Sequence, residues 1–128
     1  MIQKGTFLNV VDNSGGKIAS CIHNISSPTS RYATLGHIIL VSIKKLRVKR
    51  RFASKIKKGA LAYALIIRTK IFRNSYFGDR LKFYENSIVL FFKKTYNLIG
   101  TRIFGLLPKF FRYTQFMRIL SLGTGVSL

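Results

Sequence analysis

The chain has 128 residues, 23 Lys plus Arg against 3 Asp plus Glu, and a formal net charge of +20. That length suits one domain with its own core, and 48% apolar residues exclude a low-hydrophobicity disordered chain. Three acids cannot balance such charge, so composition speaks against acid/base enzymology and for a polyanionic partner, nucleic acid or an anionic membrane, that relieves the self-repulsion.

Taken in chain order, residues 6–11 predict a strand that ends at Asp12-Asn13-Ser14-Gly15-Gly16, a cluster suited to a tight reversal. Residues 17–25 predict a second strand, followed by a Ser/Pro loop over 26–30. Gly36 precedes the β-branched run 37–44, and Lys57-Lys58-Gly59 introduces another strand over 60–69. Gly78-Asp79 then leads into strands at 80–84 and 87–92. Strands of this length at regular spacing, none followed by a long helical pattern, predict a mainly β fold: a small closed or nearly closed barrel over about 1–99. In 109–122 apolar residues recur near helical spacing, and Pro108 suits a first helical turn. One or two short helices packed on the barrel are expected there, with 123–128 loose, all within a single domain.

The densest chemical signal lies at 44–58, where nine of fifteen positions are basic: Lys44, Lys45, Arg47, Lys49, Arg50, Arg51, Lys55, Lys57 and Lys58. Like charges within a Debye length of roughly 8–10 Å repel, and phosphates remove that cost and release counterions. Arg31, Arg68, Lys70 and Arg73 extend the candidate RNA-binding set. Aromatics lie among the bases: Phe52, Phe72, Tyr76, Phe77, Tyr96, Phe110, Phe111 and Tyr113. Most are expected in the core, with Tyr32, Phe52, Tyr76 or Phe77 the candidates for stacking on unpaired bases.

Catalytic and metal readings find little support. Asp12, Asp79 and Glu85 are far apart in sequence and form no carboxylate pair. Cys21 and His23 would share a strand face, but two ligands do not make a metal site, and a core thiol beside a satisfied imidazole is the simpler reading. No cofactor is implied. Gly15-Gly16-Lys17 lacks the spacing of a phosphate-cradling loop. The longest apolar runs, 60–67 and 87–92, fall short of the roughly 20 residues of a membrane span, and no targeting segment is visible. Ile, Lys, Phe, Asn and Tyr, all with A/T-rich codons, supply 51 of the 128 residues. That usage suggests a compact A/T-rich genome such as an organelle's.

Together these segments resemble the family of the universal large-subunit ribosomal protein number fourteen. The matching stretches are MIQKGTFLNVVDNSGG at the start, Arg31-Tyr32-Ala33, KKG at 57–59, the strand at 64–70, NSIVL at 86–90, GTRIFG at 100–105 and FMRILSL at 116–122. The resemblance implies a five-stranded β-barrel with a C-terminal loop and small helices. It also implies binding to large-subunit ribosomal RNA and neighbouring ribosomal proteins, at the face that meets small-subunit RNA. Positions matching Thr101, Arg102 and Arg118 belong in the family to that face, where a ribosome silencing factor docks. The chain departs from the family pattern by losing acids or gaining apolar surface. Examples are Gly36-His37 for GD, Leu106-Leu107 after GTRIFG with Lys109 to Arg112 replacing an acidic segment, and Gly123-Thr124-Gly125 at the ending. Those losses, with the residue usage, point to a mitochondrial ribosome. A cationic membrane-surface protein is the alternative, weakened because the bases crowd one inter-strand loop and not a helix face.

Overall fold

The computed structural model describes residues 1–48, 54–74 and 78–127. Strand β1 (Phe7–Val10) reverses through the Asp12–Gly16 cluster into β2 (Gly16–Asn24), antiparallel to it. Gly15 takes a φ of 106°, and a side-chain carbon there would stand 2.9 Å from the Ser54 Cα, so the turn needs glycine for both conformation and space. Strands β3 (Ile38–Leu46) and β4 (Leu61–Arg68) continue the antiparallel ladder. The ribbon β5 (Arg73–Asn74) with β6 (Arg80–Leu81) follows, and then β7 (Ser87–Phe91). β7 pairs antiparallel with β4 and closes in parallel on β1, giving a barrel ordered β1-β2-β3-β4-β7. Closure removes the free strand edges that invite association.

Alternation along the strands fills the barrel. Leu8, Val10, Ala19, Cys21, Ile39, Val41, Ile43, Ala64, Ile66, Ile88 and Leu90 form one interior cluster. β4 and β7 break the alternation, because their other face is also covered. Leu65, Ile67, Val89 and Phe91 pack outward against Ile103, Leu107, Phe111 and Ile119 in a second cluster. Burial on both faces is why these two strands read as unbroken apolar runs.

The second cluster is roofed by the chain after the barrel. It comprises β8 (Ile103–Pro108), a 3-10 helix (Lys109–Tyr113), α1 (Arg118–Leu122) and β9 (Gly123–Ser127), which pairs in parallel with β8. The expected short helices are present. The expectation of a loose ending is overturned, since 123–127 form β9. Glycine ordinarily weakens a strand, but here it makes room for leucines. A side-chain carbon on Gly125 would lie 2.9 Å from Leu106 Cδ2, and one on Gly123 would lie 3.1 Å from Leu107 Cγ.

The region 80–84, expected among the regular strands, contributes only Arg80–Leu81, paired with Arg73–Asn74 outside the barrel. Gly78-Asp79 returns the chain onto its own preceding segment, which is a local hairpin and not a barrel strand.

Candidate nucleic-acid interface

The Asp12–Gly16 turn is the organising point of the basic surface. Asp12 is fully buried, and its carboxylate accepts hydrogen bonds from the Ser14 N–H at 3.1 Å, the Ser14 hydroxyl and the Leu90 N–H at 3.1 Å. Burial still holds its pKa above the usual carboxylate value, against those bonds and the nearby Arg47 charge. The next residues grip the basic segment at both ends. The Arg47 N–H donates to the Gly15 carbonyl at 2.9 Å, and the Lys55 N–H donates to the Ser14 carbonyl at 3.0 Å. Lys44 and Lys45 at the end of β3, with Lys55, Lys57 and Lys58 after the tract, are all exposed. Lys49, Arg50, Arg51 and Phe52 lie outside the described residues, as do Tyr76 and Phe77.

Not every base faces solvent. Arg68 is 7% exposed. Its Nη1 pairs with Glu85 at 2.8 Å, its Nε donates to the Leu106 carbonyl at 2.8 Å, and its Nη2 donates to the Phe104 carbonyl. It ties β4 to β8. Arg47 donates through Nη2 to the Val10 carbonyl at 3.0 Å and through Nε to the Gly16 carbonyl at 3.3 Å, and its guanidinium lies 5.3 Å from the Phe104 ring centre. Arg73 donates to the Leu35 carbonyl at 2.8 Å and sits 4.4 Å from the Phe110 ring centre. Lys55 Nζ donates to the Ile99 carbonyl at 3.2 Å while the residue stays exposed. Arg31 and Lys70 are exposed. Among the described residues Arg68–Glu85 is the one ion pair, so the surface cations are not neutralised from within.

The aromatics correct one expectation. Among the described members of that group, Phe111 is buried and Phe110 half-buried, but Phe72, Tyr96 and Tyr113 are exposed, as is Tyr32. The second cluster is already filled by aliphatic side chains with Phe91 and Phe111, leaving these rings at its rim or beyond. Tyr84, which the sequence reading did not single out, is 97% exposed.

Thr101 and Arg102 are held by the same turn. Asn13 Oδ1 accepts from the Thr101 N–H at 2.6 Å and the Arg102 N–H at 3.3 Å, and Asn13 Nδ2 donates to the Thr101 hydroxyl at 2.7 Å. Arg118 opens α1 and lines a groove with Tyr96, Leu98, Gln115 and Phe116. Cys21 is buried in the barrel, and burial pushes its thiol pKa up against the opposing charge of Lys4. A bulge separates it from half-buried His23, and no metal-holding cluster of three His, Cys, Asp or Glu side chains occurs among the described residues.

This frame carries a recognisable pattern from end to end. Residues 1–127 match the family model of ribosomal protein L14p/L23e. The chain belongs to that family. It is also 37% identical over 126 residues to the large ribosomal subunit protein uL14 of Carsonella ruddii (strain PV), covering 98% of this chain and 99% of that one. A ribosomal L14p/L23e protein is a structural constituent of the large ribosomal subunit, not an enzyme, with ribosomal RNA and ribosomal proteins as its surroundings. The membrane-surface alternative is therefore not favoured. Among the described residues no helix is long and apolar enough to cross a membrane.

Proposed function

We propose that this chain holds large-subunit ribosomal RNA through basic loops fixed on a closed barrel. The phosphate contacts are assigned to Arg31, Lys44, Lys45, Lys55, Lys57, Lys58 and Lys70, together with Lys49, Arg50 and Arg51 of the central tract. The observation that carries this reading is the anchorage of the tract. Arg47 and Lys55, on either side of that tract, donate their backbone N–H groups to consecutive carbonyls of one buried turn, and Lys44, Lys45, Lys55, Lys57 and Lys58 around it are exposed, which presets cations where phosphates converge. Arg47, Arg68 and Arg73 act as positioning residues, since none is exposed and each guanidinium binds carbonyls of its own chain. Lys55, by contrast, stays exposed although its Nζ reaches the Ile99 carbonyl.

Thr101, Arg102 and Arg118 are assigned to the face that meets small-subunit RNA and can receive a silencing factor. Support comes from Asn13, which couples the first two to the turn carrying the basic tract. The ribosome is assigned to a mitochondrion on the A/T-biased residue usage and the acids missing from the C-terminal segment. Co-sedimentation with mitochondrial and not cytosolic ribosomes tests that compartment.

Salt extraction from the particle tests the RNA reading. Ten phosphate contacts would give a salt slope near −9, at about −0.9 per contact on duplex. Replacing Lys44, Lys45, Lys57 and Lys58 together by Gln should flatten the slope by roughly 3 to 4. Release that ignores salt in both proteins would overturn the proposal and leave protein contacts as the attachment.

A further inference from the structure

Phe72 precedes the β5–β6 ribbon and is 58% exposed. Phe7, Phe92 and Phe104 are exposed as well, but Phe72 alone among them has two cations at its ring. These cations are Arg80 of β6 and Lys82 just after it: Lys82 Nζ lies 4.9 Å and the Arg80 guanidinium 6.0 Å from the ring centre. The same ring walls a cavity of about 270 Å³ with Met1, Thr34, Leu35, Thr69, Ile71 and Arg73. The walls are mostly apolar, with the exposed Thr34 and with Arg73, whose guanidinium is held by the Leu35 carbonyl and the Phe110 ring. Lys70 is exposed two residues before Phe72, and Asp79 is the acid of the ribbon turn.

An apolar slot with one aromatic wall, whose ring is itself approached by two cations, suits a flat, polar-edged group that carries phosphate. It does not suit an apolar peptide side chain, which would gain nothing from Arg80, Lys82 and Lys70. Among the described residues, β5 and β6 pair over two residues each, too short a stretch for groove reading.

We propose that this cavity takes a single unpaired nucleobase of RNA, stacked on Phe72, with its phosphates on Arg80, Lys82 and Lys70. The inference rests on the RNA-binding reading above and adds a second mode to it. The basic tract neutralises backbone whatever the pairing state, while the ribbon selects a base that has left its stack.

The test uses the full chain and two RNA hairpins that are identical except for one bulged uridine. The unaltered protein should prefer the bulged hairpin, and Phe72→Ala should abolish that preference by weakening bulged binding roughly tenfold, while fully paired binding is unchanged. Phe72→Tyr should restore the preference. A 5-iodouridine at the bulge should photocross-link at residue 72. Since Phe72 is exposed, the alanine variant is expected to keep the fold, and an unchanged thermal midpoint verifies this.

Equal binding of both hairpins by the unaltered protein overturns this inference and leaves the RNA reading standing. Salt-insensitive or absent binding of either hairpin overturns the RNA reading itself. If Phe72→Ala weakens attachment to whole particles but not binding to the bulged hairpin, a protein neighbour fills the cavity and the inference falls.

Discussion

The barrel interior and the layer built on its outside wall are both apolar, yet they are specified in different ways. Inside, each strand offers alternate residues, and neighbouring strands pair in a continuous ladder from β1 to β4. Outside, the covering layer consists of two short helices and a parallel strand pair, held by Phe111, Leu107 and Ile119 and by the Arg68 guanidinium. The interior is defined by a repeating backbone pattern. The outer layer is defined by a few side chains, and it should therefore come apart first.

The sharpest way to separate the two is to hollow each. Phe111→Ala should cost about 3–5 kcal/mol, and hydrogen exchange should show amides across 103–127 losing protection before those of β2 and β3. Leu90→Ala, inside the barrel, should cost about 2–5 kcal/mol and lower protection everywhere. Should Phe111→Ala deprotect both regions together, they form one cooperative unit and the contrast fails.

A smaller effect is expected at the tie between them. Arg68→Met keeps the bulk but leaves the Phe104 and Leu106 carbonyls without their donor, a loss of about 2–3 kcal/mol. Urea titration should record it, and combining it with Glu85→Gln should give less than the sum of the two single losses.

The smallest effect is a pH slope. Burial by itself would raise the Glu85 pKa, but hydrogen bonds from Ser87 and Asn9 and the Arg68 charge outweigh it and hold the group below its ordinary value. A carboxylate depressed on folding contributes stability above its unfolded pKa and loses it as pH falls through the folded one. Buried Asp12 has the opposite sign: its raised pKa favours the fold at low pH, and that contribution disappears as pH rises through the folded value. Urea midpoints measured from neutral into the carboxylate range should fall less steeply in Glu85→Gln than in the unaltered protein. Parallel curves would mean Glu85 has no part in the tie.

Much of this contrast was legible beforehand, for reasons particular residues explain. Turn residues and β-branched content marked β1 to β3, and the long apolar runs fell on β4 and β7, although a run alone does not say what covers its second face. β9 was invisible, because Gly123 and Gly125 signal looseness until Leu106 and Leu107 are known to lie against them. The basic tract stood out by charge density. That Arg47, Arg68 and Arg73 turn toward carbonyls of their own chain did not, since sequence records a cation but not which acceptor lies within reach. Asp12 and Asn13 read as a simple reversal. Their bonds to Leu90 and Thr101 span 78 and 88 positions and leave no local trace.

The parallel seam between β1 and β7 has a consequence for biosynthesis. Its partners, Asn9 with Ser87 and Val10 with Ile88, leave the translating ribosome far apart in time. The first strand must wait with an open edge until most of the polypeptide has emerged, and such delayed non-local pairing favours slow maturation and premature sticking. Newly made chains are thus most vulnerable just before that seam shuts, the interval in which a chaperone or an early-binding transcript would protect them best.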